Sequence, residues 1–169
     1  MLDVQDMRLS EGVEWTVHCC VLLATLPDGT CLPGPRLAEF YGVARPYLAK
    51  HLQALTRAGV LESVPGPRGG YRLARRPADI SVLDVVEVID GSEPAFTCTE
   101  IRRRGPSGGL PAREYPRPCG VHVVMNRADA AWRRELAAVS IADLVDEVVR
   151  NISPRAAVKA AAWFQQVLR

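Results

Sequence analysis

The chain contains no apolar run approaching the ~18 residues that a helix needs to cross a bilayer. Its first six residues, MLDVQD, lack the basic start and apolar core of a signal peptide. A soluble, cytoplasmic protein with no membrane partner is the expectation. Charge of one sign is scarce as well: 21 Lys and Arg stand against 19 Asp and Glu, a net charge of +2. That balance announces no nucleic-acid partner, so any such role must rest on where the basic side chains cluster. No oxyanion-hole motif, phosphate loop or cofactor fingerprint appears, which argues against an enzyme. Internal repeats and low-complexity tracts are missing too. With 169 residues, the chain has room for one ordinary domain, or for one domain and an appended dimerisation element.

Five cysteines are present, an odd number. Without an export signal, reduced thiols or metal ligands are expected rather than a disulfide framework. Cys19 and Cys20 fall in the apolar stretch GVEWTVHCC and are assigned to the core, where free cysteine is common. The same stretch holds Glu14 and His18, whose spacing of four puts both on one helix face. They are either two solvated polar groups or two ligand arms aimed at one point. Cys98 and Cys119 bracket a Gly- and Pro-rich charged segment, and Cys119-Gly-Val-His122 has a C-x-x-H spacing at a predicted helix start. Such a start can direct both groups at one metal, or offer a thiol nucleophile with an imidazole base. Cys31 has no partner that can be named.

Ser10 is placed as the N-cap of a first helix running to about Leu26, where Pro27-Asp28-Gly29 turns the chain. A short helix is predicted from Pro35, a break at Gly42, and a longer helix from about Ala44 that stops at Gly59. Two helices joined by a short Gly-containing turn make a helix-turn-helix. Val60 to Val64 has β character, PGPRGG is a tight turn, and Tyr71 to Arg75 is a second strand, so a two-stranded wing follows directly. Ser81 caps an apolar helix ending at Gly91. Residues 92–118 form a long loop of the kind that is commonly functional or disordered. Helix resumes from about Gly120 through Ala138, Ser140 caps another to about Arg150, and an amphipathic Ala-rich helix runs from Ala156 to Leu168. Trp15, Trp132 and Trp163 each fall in an apolar helical pattern and are read as packing residues.

The basic residues gather where a helix-turn-helix needs them. The second helix of such a motif enters the major groove with its N-terminal residues toward the base edges. Here those residues are Arg45, Pro46, Tyr47, Lys50 and His51, while Leu48, Leu52 and Leu55 keep the inward spacing. Arg68 and Gly69 form the hairpin tip, from which an arginine can reach phosphates or the minor groove. Double-stranded DNA is therefore the expected partner.

MRLSEGVEWTVHCCVLLA, then LAEFYGVARPYLAKHLQALTRAGVLESVPGPRGGYRLAR, then ISVLDVVEVIDG resemble the bacterial winged-helix regulators that include IscR, NsrR and CymR. The match spans roughly residues 7–150, and its most specific piece is the wing, GVLESVPGPRGGYRL. The pattern begins at Met7, so residues 1–6 look like an extension or a misassigned start. The resemblance implies a mainly α fold with a small β-hairpin wing: a winged helix-turn-helix at 7–76, a connecting helix at 77–91, a cluster-binding loop at 92–119, a dimerisation helix region at 120–150, and a helical tail at 151–169. It also implies a homodimer on a pseudo-palindromic operator.

Many members carry an iron-sulfur cluster ligated by three closely spaced cysteines, whereas only Cys98 and Cys119 lie in this loop. The RsrR-like redox-sensing members are similar at GVEWxxHCC and complete a [2Fe-2S] site with a carboxylate and an imidazole from the partner subunit. That resemblance implies Cys98 and Cys119 of one subunit with Glu14 and His18 of the other; His122 is the rival imidazole, because IscR-like members use a His just after the last cysteine. The expected function is a transcriptional regulator, a repressor by default, whose operator affinity follows the cluster's redox state. The alternatives are a cluster-free repressor controlled by thiol oxidation or a protein partner, and a Cys/His or zinc-dependent enzyme.

Overall fold

The computed structural model describes residues 9–168; the expected start at Met7 and the segment 1–6 lie outside the described residues. Its elements, in chain order, are α1 (Glu11–Ala24), α2 (Gly34–Tyr41), α3 (Arg45–Arg57), β1 (Leu61–Val64), β2 (Gly70–Leu73), α4 (Val82–Asp90), α5 (Gly120–Ala137), α6 (Ile141–Asn151) and α7 (Pro154–Val167). Short 3-10 turns punctuate the 92–118 segment at Ile101–Arg103, Gly105–Ser107 and Ala112–Glu114.

Helix α1 is the central rod, in contact with α3, α4, α6 and β2. Cys19 and Cys20 are fully buried in it, as the apolar run requires. Thr16 is buried as well, and its hydroxyl donates to the Gly12 carbonyl at 2.7 Å, which satisfies the polar atom within the helix. Ser10 stands at the N-cap position with extended backbone but makes no side-chain cap. Its backbone N–H and its hydroxyl instead donate to the Asp90 carboxylate, which ties the start of α1 to the end of α4.

The turn between α2 and α3 needs glycine, because Gly42 adopts φ 65° and closes α2 in the left-handed region. Leu37, Leu48, Leu52 and Leu55 then face inward and are fully buried or nearly so. The wing pairs Leu61 with Leu73 and Val64 with Gly70 in antiparallel register. It is tied to the α1–α2 connection by a reciprocal pair of backbone bonds, Leu32 N–H to Tyr71 O at 3.0 Å and Tyr71 N–H to Leu32 O at 2.9 Å. Strand β2 ends at Leu73 rather than Arg75, with one further backbone bond from the Ala74 N–H to the Val60 carbonyl at 3.0 Å beyond it.

Capping boxes at Ser81/Asp84 and Ser140/Asp143 start α4 and α6. The two starts are joined by backbone bonds from Val82 to Val139 and from Ile141 to Ile80. α7 returns to the helix-turn-helix, where Trp163 and Phe164 pack on Phe40 of α2 at ring separations of 4.9 and 5.8 Å. Helices α5 and α7 differ from the rest: no residue of either is buried. Trp132 is 40% exposed, so the expectation that it packs inside its own chain does not hold. No helix among the described residues is long and apolar enough to cross a membrane.

Candidate DNA interface and metal-ligand half-sites

Helix α3 presents Arg45, Pro46, Tyr47 and Lys50 to solvent, with Tyr47 66% exposed. An exposed aromatic beside two cations on a helix start is a surface suited to a polyanion. Arg68 is exposed at the wing tip. Gly69 beside it is buried, and a Cβ there would stand 2.1 Å from the Val64 carbonyl oxygen. Its part is to let the turn close, so Arg68 is the group the tip presents. His51 departs from the other α3 residues: its imidazole faces α1, close against Gly12 and edge-on to Trp15 at 6.4 Å. The helix period explains this, because His51 adjoins Leu48, Leu52 and Leu55 on the inward side.

Glu14 and His18 do share a face of α1, and both are exposed. With Trp15, Tyr41 and Val43 they line a shallow hollow of about 210 Å³. The Tyr41 hydroxyl donates to the His18 carbonyl at 2.8 Å, which pins the hollow's floor to α1. Burial pushes the Tyr41 hydroxyl well above its ordinary range.

The two loop cysteines come together at the start of α5. Cys119 is buried at the helix N-cap. The backbone N–H of His122 donates to its sulfur, and with smaller contributions from Val121, Cys98 and Arg102 it holds the thiol below its ordinary value. Cys98 accepts from the Glu100 N–H at 3.4 Å. The loop around them is held by residues the sequence did not single out. Arg102 pairs with Glu100 and donates to the Arg117 carbonyl at 3.1 Å, and the Tyr115 hydroxyl donates to the Arg102 carbonyl at 3.0 Å. These links join residues up to 15 apart, and no local sequence pattern encodes them.

His122 lies next to this pair. Its Nε2 is 3.0 Å from the Asn126 amide nitrogen. Its Nδ1 is buried without a hydrogen-bond partner among the described residues, an arrangement that ordinarily costs stability and calls for an explanation. The chain does not bring all the candidate ligands into one place. Among the described residues, no group of three or more His, Cys, Asp or Glu side chains could hold a metal ion. Cys98 and Cys119 form one half-site and Glu14 and His18 another.

Comparison with known proteins adds to this geometry. The family model described as Rrf2, iron-dependent transcriptional regulator, matches residues 9–147. The HTH-type transcriptional regulator YffB of Lactococcus lactis is 31% identical over 147 residues, covering 86% of this chain and 91% of that protein. Protein aau3 of Rhizobium meliloti is 34% identical over 144 residues, covering 82% and 85%. Among solved structures, T. potens IscR superposes with a TM-score of 0.66 at 22% identity, over 88% of this chain and 93% of that one. CymR, the global cysteine regulator of B. subtilis, superposes with a TM-score of 0.64 at 18% identity, over 83% and 98%. At such identities the two structures bear on the fold alone. Helix α7 lies beyond the matched residues.

Proposed function

The chain belongs to the Rrf2 family of transcriptional regulators, and from that premise we propose that it is a homodimeric repressor whose operator affinity follows the redox state of a [2Fe-2S] cluster held between its two subunits. It is a regulator with a DNA-binding fold and not an enzyme. The observation that carries the cluster reading is the division of the donors: two thiols in one place, a carboxylate and an imidazole in another, and a full ligand set in neither. Two copies of the chain supply four ligands at each of two equivalent positions. Dimerisation itself is supported by α5, which exposes Val121, Val124 and Trp132 and buries none of its residues within the chain.

The donors fit the group chemically. Cys119 is already drawn toward the thiolate that metal binding requires, and Glu14 and His18 are exposed and free to meet a second chain. When bound, such a cluster exchanges one electron, at a potential raised by imidazole in place of thiolate, as in Rieske centres. Cys98 and Cys119 of one subunit would hold it, together with Glu14 and His18 of the other. Because Glu14 and His18 project from α1, a change in how they are held moves the helix against which α3 packs.

A second assignment of the imidazole has its own support. The unpartnered Nδ1 of His122, beside Cys119, is a donor atom without an occupant, and it favours His122 over His18 as a ligand. Repression is the default output, since a dimer seated on a promoter blocks polymerase without further machinery.

The test is the absorption spectrum of protein purified without oxygen, before and after dithionite. It is repeated on Glu14→Ala, His18→Ala and His122→Ala, with operator affinity measured in both states. Visible bands that bleach and return, altered by Glu14→Ala and His18→Ala, support the shared site. Bands altered by His122→Ala and indifferent to His18→Ala transfer the imidazole to His122. A colourless, iron-free protein that still binds DNA sinks the cluster reading and leaves thiol oxidation or a protein partner as the control.

A further inference from the structure

The arginines of the 98–119 loop are not metal donors, and Arg102 is the one whose side chain ties the loop by hydrogen bonds. This segment contains five arginines, Arg102, Arg103, Arg104, Arg113 and Arg117, and two glutamates, Glu100 and Glu114. Its surplus of three (five minus two) exceeds the whole chain's +2, so all other residues together sum to −1. The basic character of the protein is thus concentrated in this loop. Arg102 is committed to Glu100 and the Arg117 carbonyl, and Arg113 lies 3.6 Å from Glu114. Arg103 and Arg104 are exposed and make no salt bridge among the described residues, although Arg103 acts on the Glu100 carboxylate through its charge. The Arg103 guanidinium lies 5.5 Å from the Tyr115 ring centre, within cation–π range.

The position of the loop in a dimer follows from the shared site, and the inference rests on that reading. The hollow holding Glu14 and His18 is also lined by Tyr41, the last residue of α2, and by Val43 in the turn that leads into α3. Arg45, the first residue of α3, follows two positions later. A loop whose cysteines reach Glu14 and His18 of the other subunit therefore arrives beside the start of that subunit's recognition helix. We propose that Arg103 and Arg104 of one subunit contact DNA phosphates flanking the half-site read by the other. Their forked donors match phosphate oxygens. Phosphate contacts set register and affinity without reading sequence, a role open to a Gly- and Pro-rich loop. Loop docking then adds phosphate contacts in trans, so operator affinity and its salt dependence rise together when the shared site is assembled.

The experiment is the salt dependence of binding to a duplex that the protein itself enriches from a random-sequence pool, using the iron-loaded dimer. Removing one arginine–phosphate interaction lowers the slope of log K against log salt by about 0.9, so Arg103→Gln/Arg104→Gln, which removes four arginines per dimer, lowers it by up to ~3.6. Iron content and visible bands stay as in the wild type, because neither arginine is a donor. Arg134→Gln/Arg150→Gln, which removes the same charge from α5 and α6, leaves the slope in place. Equal slopes for the wild type and the Arg103/Arg104 variant, at equal iron content, overturn the proposal. Glu14→Ala/His18→Ala separates the two layers of the argument. A slope reduced to that of the arginine variant supports docking through the shared site. A wild-type slope in that dimer, alongside a reduced one in the arginine variant, refutes docking through the shared site and leaves the phosphate interaction standing.

Discussion

Gly12 of α1 lies directly against His51 of α3, and replacing it tests the link between the two helices. A Cβ at this position would stand 2.6 Å from His51 Nε2 and 2.7 Å from its Cε1, against an ordinary separation of ~3.5–4.0 Å. The ring must retreat by about 1 Å, a displacement inferred from those two separations. Trp15 stands edge-on at 6.4 Å and limits the retreat on one side. Overpacking of this kind costs ~1–3 kcal/mol. Alanine in a helix returns ~0.5–1 kcal/mol relative to glycine. The clash therefore wins over most of the range, and Gly12→Ala is destabilised by up to ~2.5 kcal/mol, which lowers Tm by up to roughly 10 °C for a chain of this size. Removing the imidazole reverses the sign: in a His51→Ala background, Gly12→Ala stabilises by ~0.5–1 kcal/mol. The assay is thermal unfolding of the four proteins at one concentration, because the midpoint of an oligomer depends on concentration. Operator affinity is the second readout, and it falls in Gly12→Ala as α3 is displaced. If Gly12→Ala costs the same in both backgrounds, or stabilises the wild type, the contact does not hold α1 against α3 and the reasoning fails.

Burial pushes the Cys19 thiol from its ordinary 9.0 up to about 12, and raises Cys20 as well. The folded state holds these protons more tightly, so their contribution to stability is complete below pH ~9 and is lost as pH rises toward 12, at up to ~1.4 kcal/mol per pH unit per thiol. Urea titrations of Cys19→Ala/Cys20→Ala between pH 9 and 12 should show a shallower loss than the wild type; parallel curves would contradict the assignment. Arg102→Ala removes the ties to Glu100 and to the Arg117 carbonyl. Trypsin should then cut after Arg103, Arg104 and Arg113 several-fold faster with the helical circular dichroism unchanged, and an unaltered cleavage rate would show the loop held by other means. Val124→Glu/Trp132→Glu places charges on the exposed apolar face of α5 and should yield monomers in sedimentation velocity. A surviving dimer would place the interface elsewhere.

The parts of the fold legible in the sequence are those fixed by local chemistry. Gly42 in the left-handed region, Gly59 after α3 and the PGPRGG turn each dictate a break by backbone sterics, so the helix-turn-helix and wing fall within a residue or two of their predicted limits. Ser81 and Ser140 work as caps because the acidic residue that completes the box is three positions away in sequence. What escaped the sequence depends on distant neighbours. Ser10 has the chemistry of a cap, but Asp90, eighty residues on, takes its hydroxyl. His51 carries the composition of a base-reading residue, but the absence of a side chain at Gly12 gives its ring a place on α1. Trp132 follows an apolar helical pattern, yet among the described residues it stays 40% exposed. The brace formed by Arg102 and Tyr115 joins two ends of a loop in which the sequence shows only turn formers and charge.

Helix α1 presents two faces to two different tasks, and the magnitudes allow one to act on the other. Gly12 meets His51 of α3, Glu14 and His18 open onto the hollow beside the helix-turn-helix turn, and Trp15 borders both. All four lie within two turns of one helix, so a displacement imposed at Glu14 and His18 is carried to Gly12 and Trp15 with little dissipated in bending. On the proposed assignment, that displacement comes from the other subunit's thiols through their shared ligand set. A tenfold change in operator affinity requires ~1.4 kcal/mol of difference between two states. Adding one methyl group between Gly12 and His51 costs ~1–3 kcal/mol, which sets the scale for a small shift of α1 toward α3. The contact between α1 and α3 is therefore large enough to turn a local rearrangement at Glu14 and His18 into a regulatory change in DNA binding, and no larger conformational transition is required.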